Sequence, residues 1–123
     1  MADISESIRE RAQELGRVIG QSEEYKALGR ARERINEDRD AVARLNRLGE
    51  LEREVTQALQ SGNEPTPEVS AEYERLFGEL QGSAVYQALV AAQSNFDKIL
   101  MRVNEEIGRG MESGARSRII LPS

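Results

Sequence analysis

The 123-residue sequence has no cysteine, no histidine and no tryptophan. Without cysteine there is no disulfide staple, no thiolate metal ligand and no thiol nucleophile. Without histidine there is no imidazole ligand, no Ser-His or Cys-His pair and no histidine switch near neutral pH. Most catalytic constellations are therefore excluded by composition. Aromatic residues are few as well: Tyr25, Tyr73, Phe77, Tyr86 and Phe96. At helical spacing they read as core or interface side chains rather than stacking platforms for bases. The longest apolar run, Ala88 to Ala92, falls far short of the ~20 residues a spanning helix needs. Met1 to Glu6 lacks the basic patch and apolar stretch of a signal peptide, so a cytoplasmic location and no membrane partner are expected.

What is present points to a folded, helical, acidic chain. Leu, Ile, Val and Phe make up 28 of the 123 residues, above the level at which disorder is the default reading, and the length suits one domain. Seventeen basic residues face 22 acidic ones, a net charge of −5 with a pI near 4.9, which opposes nonspecific attraction to phosphate backbones or anionic lipid.

Five helical segments follow from periodicity and caps. Asp3 with Glu6 reads as a capping box ahead of Ile4, Ile8, Leu15 and Ile19, with Gly20 closing the first helix. Ser22 caps a short second helix that carries Tyr25, Leu28 and Ile35. Asp38 caps a third, running from about residue 39 to 60 through Val42, Leu45, Leu48, Leu51, Val55 and Leu59. One continuous helix from Ser22 to Gln60 is the alternative, because Ile35 and Val42 stay in phase. The loop Ser61 to Pro67 reverses the chain, Thr66 and Pro67 open a fourth helix bearing Val69, Tyr73, Leu76, Phe77 and Leu80, and Gly82 and Ser83 separate it from the last.

That last helix is the longest, from Ala84 to about Met111, with Val85, Leu89, Ala92, Phe96, Leu100, Val103 and Ile107 on one stripe. Gly108, Gly110 and Gly114 are expected to weaken it. This gives a single helical domain at 1–113 and a flexible tail at 114–123, whose Ile119-Ile120-Leu121 either frays or docks on a neighbour. The fold class is all-α: an elongated helical bundle of about five helices with a long C-terminal helix. Such a thin object has apolar stripes that one chain cannot all cover, so a homodimer is expected, with a compact up-and-down bundle as the alternative that serves the same physics.

Few groupings suggest chemistry. Bundle di-iron sites need histidine, and the cluster of Asp97, Glu105, Glu106 and Glu112 lacks convergent carbonyls, so it reads as a solvated face. Arg30, Arg32, Arg34 and Arg39 form the densest basic cluster and the only candidate nucleic-acid face, but Glu33 and Glu37 are interleaved and expected to pair with them. Asn104 beside the last stripe either fixes register between helices or is partly exposed.

The order Ala12-x-x-Leu15-Gly16-x-x-Ile19-x-x-Ser22-x-x-Tyr25-x-x-Leu28, then Ile35-x-x-Asp38, then Leu89-x-x-Ala92-x-x-x-Phe96-x-x-Ile99-Leu100-x-x-Val103-Asn104-x-x-Ile107 resembles the YlbF/YmcA-like family of small bacterial helical proteins, from about residue 8 to 108. The family pattern often has proline directly after the Asp38 position, where this chain has Arg39. The resemblance implies a helical bundle without enzymatic activity, pairing with itself or with related regulatory proteins. It further implies a regulator of competence, biofilm formation and sporulation that assists RNase Y in messenger RNA processing. Iron–sulfur clusters in that complex are held by cysteines, which this chain lacks, so no cofactor is assigned to it. Leu15, Ile19, Tyr25, Leu28 and Ile35 match the family's N-terminal packing positions, and Leu89, Phe96, Leu100, Val103 and Ile107 its long C-terminal helix. None of these positions implies a catalytic or metal-binding role.

Overall fold

The computed structural model describes residues 3–120, with side chains through Arg116. It contains five helices: α1 (Glu6–Gly20), α2 (Glu23–Glu37), α3 (Arg39–Gln60), α4 (Pro67–Gln81) and α5 (Ala84–Ile120), and no strand occurs among the described residues. Local chemistry sets nearly every boundary. Ser22, Asp38 and Thr66 each adopt an extended backbone, and each side chain accepts the amide of the residue three positions on, satisfying one orphan donor of the helix start. Asp38 is the whole break between α2 and α3. Its Oδ1 accepts from the Ala41 amide at 3.0 Å, and its own amide bonds the Ile35 carbonyl at 3.1 Å.

After α3 the chain reverses through Gly62, the one residue with positive φ among those described (79°). The Gly62 amide bonds the Leu59 carbonyl and the Asn63 amide bonds that of Ala58, a Schellman closure that needs a left-handed residue between them.

Two expectations about helix ends are corrected. The α1 cap is Ser5, whose hydroxyl accepts from the Ile8 amide at 3.3 Å, while the Asp3 carboxylate is taken up by the Ile4 amide and Arg9. The last helix does not end near Met111; it continues to Ile120, so the segment expected to be a tail from residue 114 is helical as far as it is described. Gly108, Gly110 and Gly114 each cost about 1 kcal/mol relative to alanine, but a helix is ended by a left-handed residue or a lost bond, and none of the three has positive φ. Glu106 with Arg109, and Glu112 with Arg116 at 3.5 Å, pair along the helix and support this stretch. The Ile119-Ile120-Leu121 side chains lie outside the described residues.

The main core lies where α3 and α4 pack together against the end of α2 and the start of α5. Ile35, Ala41, Leu48, Leu51, Leu76 and Leu80 are buried there, and Leu45, Val69, Tyr73, Val85, Tyr86 and Leu89 close around them. Leu51 and Leu80 are wholly buried. Two ion-pair clasps hold α3 to α4 at the surface: Arg44 with Glu79 at 3.0 Å, and Arg47 with both oxygens of Glu72 at 2.8 and 2.9 Å. A second cluster forms where α2 packs along α5, with Leu28, Ala31 and Ala92 buried and Phe96 laid over them.

Candidate interaction surface

α5 spans about 55 Å at 1.5 Å per residue, and only its first half is covered by the body of the protein. Its second half projects beside α1 as a two-helix arm. α1 contains no buried residue, although its apolar positions recur with helical spacing. Ile4 just ahead of α1, Ile8, Leu15 and Val18 on it, and Leu100, Ile107 and Met111 on α5 are each between 36% and 67% exposed. Leu15 faces Ile99, Val103 and Ile107 across an open groove of about 560 Å³, with Arg102 and Glu106 at its side. Seven large apolar side chains left open together form the kind of patch that marks an interaction site.

The residues singled out by sequence fall into three groups. Leu28 and Ile35 are buried core. Ile19, Leu89, Phe96 and Val103 are half-buried, and the Phe96 ring lies 5.3 Å from that of Tyr25, tilted by 60°. Leu15, Tyr25, Leu100 and Ile107 remain exposed on the single chain. Asn104 is exposed too, and no side-chain hydrogen bond involves it among the described residues.

The arginine cluster is not one face. On a helix of 3.6 residues per turn Arg30 stands at the back of the buried Leu28–Ala31–Ile35 stripe, and Arg32 and Arg34 flank its two edges. Arg32 reaches toward α5, with Gln93 Oε1 at 3.4 Å, and Arg39 belongs to another helix. The expected pairing of Arg30 and Arg34 with Glu33 and Glu37 is absent among the described ion pairs. Pairs confined to one helix occur in both orders, as Glu14 with Arg17 and Arg75 with Glu79, so the order of the charges does not explain the absence.

Electrostatics elsewhere concentrates on Arg47. Its guanidinium donates to Glu72 and Glu50, which raises its own pKa and holds the Glu72 carboxyl below the usual carboxylate range, mainly through the paired hydrogen bonds. This is a structural clasp between two helices. No group of three or more Asp or Glu side chains converges to hold a metal ion among the described residues. No helix there is long and apolar enough to cross a membrane.

Comparison with known proteins agrees with this architecture. Residues 8–112 match the family model described as control of competence regulator ComK, YlbF/YmcA. A UPF0342 protein of Leuconostoc mesenteroides is 25% identical over 99 residues, covering 80% of this chain and 85% of the relative. A UPF0342 protein of Streptococcus mutans is 30% identical over 82 residues, covering 67% of this chain and 73% of the relative. Among solved structures, one of Bacillus subtilis RicA in complex with RicF contains a chain that superposes with a TM-score of 0.74, at 22% identity, covering 91% of this chain and 99% of that one. At that identity the likeness speaks for the fold alone.

Proposed function

The chain belongs to the YlbF/YmcA family of control-of-competence regulators, and we propose that it is a non-enzymatic cytoplasmic adaptor that works through helix-to-helix contact along its arm. One observation carries this reading: α1 keeps an apolar stripe of which no residue is fully buried, and the second half of α5 presents a matching stripe beside it. A helix of that kind is stabilised by tertiary packing rather than by propensity, so the missing half of its packing belongs to another chain. A second copy supplies an identical arm, and two arms together make a four-helix layer with both stripes inside. The complex of RicA with RicF, in which a protein of this fold assembles with a second protein, supports a role in protein association.

In its finer form the proposal is a regulator that assists RNase Y-dependent processing of messenger RNA. Deleting the gene in its own cell and mapping transcript ends tests it. Shifted ends that the unaltered gene restores, but an Ile107→Arg version does not, are expected; unchanged ends would contradict the processing role. The spread of Arg30, Arg32, Arg34 and Arg39 around α2 and onto α3 gives no single basic face for a nucleic-acid alternative.

A further inference from the structure

The charge of this chain is not spread evenly along it. Residues 50–74, from the second half of α3 through the loop into α4, carry seven carboxylates and a single cation, Arg53. That segment alone holds a net charge of −6, against −5 for the whole chain, so the rest of the molecule is nearly neutral. Between the two helices lies an open groove of about 520 Å³. Val55, Val69, Pro65 and the Tyr73 ring give it apolar walls, and Glu52 and Glu74 stand among its lining. Leu59, one turn beyond Val55, is 62% exposed.

Glu50, Glu54 and Glu72 are tied to Arg47. Glu52, Glu64, Glu68 and Glu74 have no ion-pair partner among the described residues, and Glu52 receives only a long hydrogen bond from the Tyr73 hydroxyl, at 3.5 Å. The groove thus joins an apolar floor to uncompensated negative charge.

We propose that this groove docks a basic amphipathic helix from a partner protein. The apolar walls suit side chains at i, i+3 and i+4 of such a helix, and the free carboxylates suit the Lys and Arg residues flanking them. A nucleic acid or any phosphate-bearing ligand would be repelled by the same carboxylates. A second copy of this chain is a poor occupant: its open apolar helix, α1, balances Arg9, Arg11 and Arg17 against Glu6, Glu10 and Glu14 and so lacks the net positive charge that the groove calls for. The proposal does not rest on the arm, because α3, α4 and their loop form the groove without α1 or α5.

The test is fluorescence anisotropy of a labelled synthetic helix with leucines on one face and lysines and arginines on the other, titrated with the full chain. Two control peptides replace the leucines by serine or the cations by glutamine. The basic amphipathic peptide is expected to bind about tenfold or more tighter than either control and to weaken as salt is raised. Glu52→Lys combined with Glu74→Lys, and separately Ser70→Trp, which fills the groove without changing its charge, are each expected to lower affinity by about tenfold at unchanged helical content. Ile107→Arg on the arm should leave peptide binding untouched, which separates this proposal from the arm reading. Equal affinity for the control peptides, or no effect of the two groove variants, would overturn it. So would groove variants that alter the chain's own sedimentation, because a second copy would then be the occupant.

Discussion

The two halves of α5 have the same apolar period and opposite surroundings. In the first half Ala92 is buried and Leu89 joins two hydrophobic clusters, because α2, α3 and α4 lie across them. In the second half Ile107 continues the same stripe and Met111 lies at its edge, and both are left open because only α1 is near and α1 buries nothing of its own. A stripe therefore specifies which face of a helix seeks company, whereas burial depends on which other element arrives. Where the chain supplies no element, the stripe stays open to solvent.

The contrast predicts a steep gradient of mutational cost. Leu51→Ala or Leu80→Ala, in the wholly buried part of the body, is expected to lower unfolding free energy by about 3–4 kcal/mol, read from urea denaturation. Phe96→Ala stands at the border between the halves. It should cost about 2 kcal/mol, less than a full core aromatic, because the ring is half-buried and its partner Tyr25 is exposed. Asp38→Ala removes the cap that divides α2 from α3 and should cost about 1 kcal/mol. On the arm, Ile107→Ala should leave the stability of the single chain within about 0.5 kcal/mol of the parent. A cost at Ile107 as large as at Leu51 would abolish the distinction between body and arm.

The α3–α4 clasp adds a pH dependence to the body. The Glu72 carboxyl titrates below its ordinary value of 4.5 in the folded protein. Its contribution to stability is therefore present above that value and is lost as pH falls through the lowered pKa. Thermal unfolding followed from neutral to acid pH should show a shallower loss in Glu72→Gln than in the parent. Parallel curves would mean that the pair with Arg47 adds nothing to folding.

Much of the fold was legible in the sequence because it is governed locally. Ser22, Asp38 and Thr66 each bond an amide three residues away, so the caps were readable one by one and the α2–α3 break followed from Asp38 alone. The glycines misled, since Gly108, Gly110 and Gly114 signal weakness in a helix but did not end it, and the Schellman turn at Gly62 read only as loop. Stripes were placed correctly on α3 and α5, yet nothing in the spacing separates Leu51, wholly buried, from Leu59, almost two-thirds exposed on the same helix. That difference comes from α4 crossing one and not the other. The acid-lined groove escaped for a related reason, because Val55 and Val69 belong to different helices; the charge imbalance of residues 50–74 was the signal that could have found it.

The most direct test of the arm as the working surface is sedimentation velocity of the parent chain and of Ile107→Arg at micromolar concentration, with circular dichroism on the same samples. An arm that needs a second chain predicts a dimer for the parent. It predicts a monomer of unchanged helical content for the variant, with association weakened by about two orders of magnitude or more. A parent chain that sediments as a monomer, or a variant that dimerises as the parent does, would contradict it.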